Sequence, residues 1–148
     1  MAFHLVTRVG TLSEDPVVLA TLARGFLQGV VASNRVTMRE AKRRGRPIPP
    51  LYESGVEYQR ERGPGEEFAD VLTVLRRGWG DCDDLVAWRI AELLEEGHRA
   101  GARIYWRAKK PPFKMHAQVR HAPRCKCSMC HGRYARGRVE DPSRFLGL

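Results

Sequence analysis

The sequence predicts a single α+β domain in which helices come first and a small antiparallel sheet follows. Three observations lead to this prediction. The chain has 148 residues, which suits one domain with one hydrophobic core. Apolar residues keep helical spacing up to about Gly97, and after Gly101 they alternate with polar residues as strands do. Helices followed by strands, without regular βαβ alternation, are typical of the α+β class.

The N-terminal part predicts one strand and one long helix. Residues 3–9 form a short strand-like run. Residues 13–16, Ser-Glu-Asp-Pro, indicate a helix start, because a capping residue precedes a proline in the first turn. Helical spacing continues to about Arg44. Gly25 and Gly29 lie inside this helix, where they allow either close packing against a neighbour or a break.

The middle of the chain predicts an extended segment and two helices. Residues 51–60 are expected to be extended, and residues 66–77 carry apolar positions on one face of a short helix. Residues 78–80, Gly-Trp-Gly, break that helix. Asp81 then caps a second helix, which ends near Gly97.

The C-terminal part predicts three strands, over residues 102–108, 114–120 and 133–140. A cysteine-rich segment at residues 121–133 joins the second strand to the third and is expected to be an elaborated hairpin tip. We therefore expect one domain over residues 1–148, with a basic helical extension over about residues 1–50.

The net charge of +9 is unevenly distributed. Residues 103–144 contain 12 basic residues and two acidic ones, Glu140 and Asp141. Such a basic half could face nucleic acid, an anionic polymer or an acidic protein. Solubility and a high usage of arginine explain the same charge. Because no RNA- or DNA-binding motif accompanies it, we regard a nucleic-acid partner as the weaker expectation.

No signal peptide is recognisable, and no stretch approaches the roughly 18 apolar residues of a membrane span. The expected location is therefore cytoplasmic, or within a particle such as a virion that is assembled from the cytoplasm. No membrane partner is expected.

Cys82 is the candidate nucleophile. It opens the helix that Asp81 caps, where unpaired backbone N–H groups and the helix dipole stabilise a thiolate. The same N–H groups can bind the oxyanion that forms when a thiolate attacks a carbonyl. Asp83 and Asp84 oppose a negative charge on the neighbouring sulfur, so the thiolate needs a cationic partner.

His116 is the best candidate for that partner, because it lies in the predicted strand 114–120. Asp141, at the end of the next strand, could orient its imidazole, since strands joined by a hairpin are neighbours. The alternative for Cys82 is a small buried apolar side chain, and the alternative for His116 is a solvated histidine.

Three short motifs resemble the transglutaminase-like cysteine protease superfamily, whose fold is of the papain type. They are the helix start at residues 80–85 (Gly-Asp-Cys-Asp-Asp-Leu), the strand 115–119 (Met-His-Ala-Gln-Val) and residues 140–144 (Glu-Asp-Pro-Ser-Arg). Residues 51–56 are similar to the lead-in of small bacterial and phage members. The resemblance implies a papain-like core, a catalytic triad of Cys82, His116 and Asp141, and a thioester acyl-enzyme.

The cysteine-rich segment has the spacing of a zinc knuckle. Cys127 and Cys130 stand at positions i and i+3 with a glycine after them, and Cys125 could add a third thiolate. The fourth ligand is His131 or, from the strand end, His121. Three thiolates and one imidazole form a closed tetrahedral set, which is structural rather than catalytic. The alternatives are free surface thiols or an oxidised pair.

Two functions from different classes follow. The first is a thiol hydrolase or acyl transferase that acts on amide bonds, with protein or peptide substrates first and peptidoglycan cross-peptides second. The second is a structural or adaptor component of a phage particle or another assembly, which retains the fold and the zinc-bound hairpin and contacts other structural proteins.

Overall fold

The computed structural model describes residues 6–9, 15–60, 66–106 and 115–147. Within these ranges helices and strands combine as expected for the α+β class. In chain order the elements are β1 (Val6–Val9), α1 (Pro16–Arg43), a 3₁₀ turn (Leu51–Glu53), β2 (Glu57–Tyr58), β3 (Glu66–Ala69), α2 (Val71–Arg77), β4 (Trp79–Gly80), α3 (Cys82–Glu95), β5 (Ala100–Trp106), β6 (Met115–His121), β7 (Val139–Glu140) and α4 (Pro142–Gly147).

Helix α1 begins where the sequence predicts. Asp15 is its N-cap and accepts a hydrogen bond from the backbone N–H of Val17 at 2.8 Å. Gly25 and Gly29 neither break the helix nor pack closely, because no atom of the described residues lies within 4 Å of the position that a Cβ would take at either glycine. The helix therefore continues unbroken past both glycines, and they serve neither of the two purposes expected of them.

The buried face of α1 belongs to the central core. Ala23, Leu27 and Val30 are buried in the same apolar cluster as residues of α3 and β6. Arg35 also pairs with Glu95 of α3, with Nε and Oε1 2.6 Å apart. Helix α1 is thus part of the domain rather than an appended extension.

Helix α1 also corrects the expectation about membrane spans. By length and composition alone, residues 17–43 are long and apolar enough to cross a membrane. This is weak evidence, because a core helix of a soluble protein satisfies the same criterion. The packing of Ala23, Leu27 and Val30 against α3 accounts for one apolar face, whereas Val17 and Val36 are exposed.

The segment 66–77 differs from the single helix predicted for it. Residues Glu66–Ala69 form β3, which pairs antiparallel with β1. Asp70 then caps α2 by accepting a hydrogen bond from the Thr73 backbone N–H at 2.8 Å. A polar residue that caps from an extended conformation separates the two elements.

Two further differences concern residues 51–60 and the first predicted strand. Residues 51–60, expected to be extended, contain the 3₁₀ turn and the short strand β2, which pairs in parallel with β4. The first predicted strand, 3–9, is observed as β1 over Val6–Val9, and residues 3–5 lie outside the described residues.

The main sheet has the strand order β5-β6-β7 and is antiparallel throughout. Strands β5 and β6 lie where the sequence predicts strands, but β5 begins two residues earlier and β6 ends one residue later than predicted. Residues 107, 108 and 114 of the predicted strands lie outside the described residues. The third predicted strand, 133–140, is wrong in length, since only Val139–Glu140 pairs with β6. Residues 122–138 instead form turns around the cysteines.

Candidate thiol site and metal centre

Cys82 is the first residue of α3, as predicted. Asp81 caps this helix through a reciprocal arrangement in which its side chain accepts from the Asp84 N–H and the Asp84 carboxylate accepts from the Asp81 N–H, each at 3.3 Å. The capping box uses neither the N–H of Cys82 nor its side chain. The Cys82 sulfur therefore lies in the first helical turn, where the helix dipole favours negative charge.

Asp84 is neutralised by its surroundings. Its carboxylate accepts a hydrogen bond from the backbone N–H of Ala69 at 2.7 Å and pairs with the guanidinium of Arg77. This ion pair joins α2 to the start of α3. Burial and the charge of Asp81 raise the pKa of Asp84 well above its ordinary value, although Arg77 and the Ala69 N–H act to lower it.

Asp83 is fully buried beside the thiol. Its Oδ1 lies 4.0 Å from the Cys82 sulfur, and its Oδ2 has no hydrogen-bond partner among the described residues. Burial raises the pKa of Asp83 well above its ordinary value, and the charges of Asp81 and Asp84 raise it further. A protonated Asp83 carries no negative charge, so it does not repel a thiolate at Cys82 as the sequence analysis expected.

His116 and Asp141 form a buried pair. His116 Nε2 lies 2.8 Å from Asp141 Oδ2, with the two side chains 2% and 9% exposed. Asp141 also accepts hydrogen bonds from Ser143 Oγ at 2.5 Å and from Gln118 Nε2 at 3.2 Å. Burial alone would raise the pKa of Asp141, but these hydrogen bonds outweigh it and hold that pKa below its ordinary value. Asp141 is therefore ionised and can orient the imidazole.

The thiol lies at the start of the strand that carries His116. The Cys82 sulfur is 4.0 Å from the carbonyl oxygen of Met115, the residue before His116. The ring of Tyr105, the register partner of His116 on β5, packs edge-on against the imidazole with the ring centroids 5.3 Å apart. Because Nε2 is engaged by Asp141, Nδ1 is the nitrogen that could take a proton from the thiol.

The cysteine-rich segment folds into a second buried cluster. His121, Cys125, Cys127 and Cys130 bring one ligand atom each within 4.8 Å of one another, and this cluster could hold a metal ion. All three cysteines are free and buried. The structure selects His121 as the fourth member, whereas His131 is exposed and lies outside the cluster. The expectation that His131 is the fourth ligand is therefore corrected to His121.

The donor set suits zinc. Bond lengths of about 2.3 Å to sulfur and about 2.0 Å to nitrogen place the sulfur and nitrogen of a tetrahedral site about 3.5 Å apart. The sulfur of Cys127 lies 3.6 Å from His121 Nδ1. Three thiolates and an imidazole would close the coordination shell, so the ion would supply structural cross-linking rather than catalysis. The cluster is therefore compatible with a zinc ion.

The thiols differ in how readily they ionise. Burial raises the pKa of Cys125, and it raises that of Cys130 to about 12. Burial also acts on Cys127, but the backbone N–H groups of Cys130 and Met129 and the neighbouring thiols outweigh it and lower the Cys127 pKa. Cys127 is thus the thiol best prepared to bind a cation first.

Glu140 is the residue that the sequence analysis missed. It is buried, its Oε2 lies 2.5 Å from His121 Nε2, and its Oε1 accepts from Arg89 Nε at 2.9 Å. The Tyr52 hydroxyl donates to the same Oε1. A carboxylate that holds one ring nitrogen of a histidine leaves the other to bind metal. A signal existed, since Glu140 and Asp141 are the two acidic residues in the basic stretch 103–144.

No protein-family model matches this chain, and neither a curated protein nor a solved structure matches it. The resemblance to the transglutaminase-like superfamily therefore stays a prediction, which rests on three short motifs. The arguments for a function come from the geometry of the two buried clusters.

Proposed function

We propose that the protein is a thiol-dependent hydrolase or acyl transferase that acts on amide bonds through Cys82, His116 and Asp141. The observation that carries the proposal is the buried hydrogen bond of 2.8 Å between His116 and Asp141, on the strand whose first residue contacts the Cys82 sulfur. An ionised carboxylate fixed to an imidazole beside a helix-capped thiol is the arrangement that nucleophilic catalysis by cysteine requires.

The mechanism begins with transfer of the Cys82 proton to Nδ1 of His116, while Asp141 stabilises the imidazolium through Nε2. The thiolate attacks the amide carbonyl, and the backbone N–H of Cys82 binds the oxyanion. His116 then protonates the leaving amine as the carbon–nitrogen bond breaks, which leaves a thioester on Cys82. Water completes a hydrolysis, and an amine that intercepts the thioester completes an acyl transfer.

The charges around Cys82 support this scheme. Asp84 is paired with Arg77, and Asp83 is buried with a raised pKa. An ionised Asp83 with its oxygen 4.0 Å from the sulfur would disfavour the thiolate, whereas a neutral one does not. The helix dipole and the imidazolium then act on the sulfur against the remaining negative charge of Asp81, which is the N-cap of the helix.

Peptide bonds are the proposed substrate class, with peptidoglycan cross-peptides as a second choice. The transglutaminase-like resemblance favours amide bonds, and the low exposure of the site favours a slender chain. Cys82 is 9% exposed and His116 2%. An extended peptide presents its carbonyl groups without bulky flanking structure, so it can approach a sulfur with so little exposed surface.

A second candidate is a structural or adaptor role in a phage particle or a comparable assembly. The observation that favours it is the same low exposure of the triad, together with a cysteine–histidine cluster suited to holding a hairpin rigid. In this case the fold would be retained without turnover, and other structural proteins would be the partners. The basic C-terminal half would then face an acidic protein surface, or nucleic acid as the weaker option.

The decisive experiment traps the acyl-enzyme. The protein is incubated with p-nitrophenyl acetate and with short peptide thioesters, and the product is analysed by intact mass and peptide mapping. The proposal expects one acyl group on Cys82, released by hydroxylamine as a thioester is. Addition of a primary amine separates hydrolysis from acyl transfer by the product formed.

Matched variants make the result specific. Cys82→Ala should lose the acyl group entirely, and His98→Ala, which removes a histidine far from Cys82 in the chain, should react like the wild type. An unmodified Cys82 after long incubation, in folded and metal-loaded protein, would favour the structural role instead.

A further inference from the structure

The two clusters share the same two strands. Strand β6 carries both histidines, His116 and His121, and the consecutive residues Glu140 and Asp141 carry both carboxylates. His121 pairs with Glu140 and His116 pairs with Asp141. Any displacement of β7 along β6 therefore changes both histidine–carboxylate pairs at once.

Strand β7 has little pairing of its own. It contains two residues, and its register on β6 consists of Val119 opposite Glu140 and Arg120 opposite Val139. One further backbone bond, from the His121 N–H to the Arg138 carbonyl at 2.8 Å, extends the ladder. A strand this short is not fixed by its hydrogen bonds, so its position depends on the segment that leads into it.

That segment, residues 122–138, has neither helix nor strand and folds around the cysteines. The Gly132 N–H donates to the Cys125 carbonyl at 2.8 Å, and the His131 N–H donates to the Cys127 carbonyl at 3.0 Å. Its interior consists largely of thiols and an imidazole, which attract one another weakly without a cation. A bound metal ion would supply the cross-links that such an interior otherwise lacks.

Glu140 lies in β7 and connects this strand to the cysteine–histidine cluster through its contact with His121. Its two carboxylate oxygens are engaged by His121, Arg89 and Tyr52, and the side chain is fully buried. Arg89 also lies on α3, the helix that opens with Cys82. The residue after Glu140 is Asp141, so a fixed Glu140 leaves Asp141 little freedom relative to His116.

We propose that Glu140 is a positioning residue, through which zinc bound by His121, Cys125, Cys127 and Cys130 holds Asp141 against His116. Loss of the ion loosens β7 and weakens the hydrogen bond between Asp141 and His116. The consequence for catalysis rests on the function proposed above, but the link between metal and hydrogen bond does not. The metal centre is thus a condition for an ordered thiol site, although it takes no part in the chemistry.

The test measures the hydrogen bond directly and does not use activity. In protein labelled with ¹⁵N-histidine, the Nε2–H of His116 is followed by NMR and assigned by its absence in His116→Gln. Zinc is removed with a chelator and quantified, and far-UV circular dichroism monitors the helices. We expect the His116 Nε2–H to exchange roughly tenfold faster or more in the metal-free protein, with the helices retained.

Two variants keep the test decisive if the metal-free protein unfolds. Glu140→Gln is examined with zinc bound, and faster exchange of the His116 Nε2–H is expected there too. His131→Ala, which removes the exposed histidine, should bind one zinc ion and leave the exchange unchanged. An exchange rate within about twofold of wild type in folded metal-free protein, or in zinc-loaded Glu140→Gln when the metal-free protein unfolds, overturns the proposal.

Activity then separates this proposal from the function itself. If Cys82 is not acylated but the exchange of the His116 Nε2–H responds to zinc, the proposed enzymatic function is wrong and the link between the metal and the His116–Asp141 hydrogen bond stands. If Cys82 is acylated but the exchange of the His116 Nε2–H does not change with zinc, the link is wrong and the enzymatic function stands.

Discussion

The thiol site and the cysteine–histidine cluster are built from the same kinds of residue. Each contains a histidine of β6 held by an acidic residue at β7, at 2.8 Å in one and 2.5 Å in the other. His116 and His121 are five residues apart, and Glu140 and Asp141 are adjacent, so both spacings are odd. Because side chains alternate along a strand, an odd spacing puts the two pairs on opposite faces. Under the proposed function, the imidazole of the first pair exchanges a proton, whereas the imidazole of the second pair could bind a metal ion.

The two sites differ in the number of thiols that lie near each histidine. His121 Nδ1 faces the sulfur of Cys127 among three clustered thiols. At the thiol site, the Cys82 sulfur lies 4.0 Å from the carbonyl oxygen of Met115, the residue before His116, and burial raises the pKa of the neighbouring Asp83. One thiol per imidazole suits proton transfer, whereas three per imidazole suit a closed metal shell. The predictions below separate the two sites, from the largest expected effect to the smallest.

Removing the imidazole of the thiol site should have the largest effect. His116→Ala is expected to lower the rate of Cys82 acylation by about 10²–10⁴-fold, the usual contribution of general acid–base catalysis. Stopped-flow release of p-nitrophenol measures that rate, and zinc content should stay at one equivalent. An acylation rate of His116→Ala within about threefold of wild type would show that His116 is not the general base.

Removing a ligand of the cluster should act on stability. Cys130→Ser is expected to lower the free energy of unfolding by at least about 2 kcal/mol in zinc-containing buffer, because a structural zinc ion contributes on the order of 10 kcal/mol to folding. Urea unfolding measures the change. The matched His131→Ala should lose nothing measurable, and an equal loss in both variants would contradict the choice of His121.

Two glycines of the hairpin offer a matched pair. Both have positive φ, 85° at Gly137 and 72° at Gly132, so alanine is strained at either. A Cβ at Gly137 would also lie 2.3 Å from the carbonyl oxygen of His121, whereas at Gly132 no atom in the described part of the chain lies within 4 Å of a Cβ. Gly137→Ala should therefore weaken zinc affinity clearly more than Gly132→Ala. Competition with a chromophoric chelator measures both, and equal affinities would contradict the contact.

Asp83 gives a smaller, pH-dependent effect at the thiol site. A carboxyl whose folded pKa is raised keeps its proton in the folded state and loses it in the unfolded state, so stability falls as pH rises above about 4. Asp83→Asn removes this loss, which amounts to at most about 1.4 kcal/mol for each pH unit. We expect the variant to gain stability over wild type as the pH rises above about 4.

The result that would contradict this account is a parallel pair of stability–pH curves for Asp83→Asn and wild type. Parallel curves would mean that Asp83 ionises normally beside Cys82. Urea unfolding at several pH values provides the curves.

Local signals allowed the two long helices and the pairing of His116 with Asp141 to be predicted. Asp15 before Pro16 and Asp81 before Cys82 are capping residues, whose effect depends on the next few positions alone. The pairing of His116 with Asp141 followed from the rule that strands joined by a hairpin are neighbours. In each case the information lies close in sequence or in simple connectivity.

Long-range contacts explain what the sequence could not reveal. Residues 66–69 form a strand because β1, about 60 residues earlier, pairs with them, and their apolar spacing carries no trace of that partner. The choice of His121 over His131 depends on which histidine the turns at residues 122–138 enclose. Glu140 could be recognised as a hub only after Tyr52 and Arg89 were found to converge on it.

The most direct test of the central claim is the rate at which iodoacetamide alkylates Cys82 at pH 6, with each labelled cysteine located by peptide mapping of zinc-loaded protein. The account predicts that Cys82 reacts faster than free cysteine, that His116→Ala removes this advantage, and that the three clustered cysteines stay unlabelled while zinc is bound. A Cys82 that reacts no faster than free cysteine in folded protein would contradict the claim that His116 and Asp141 activate it.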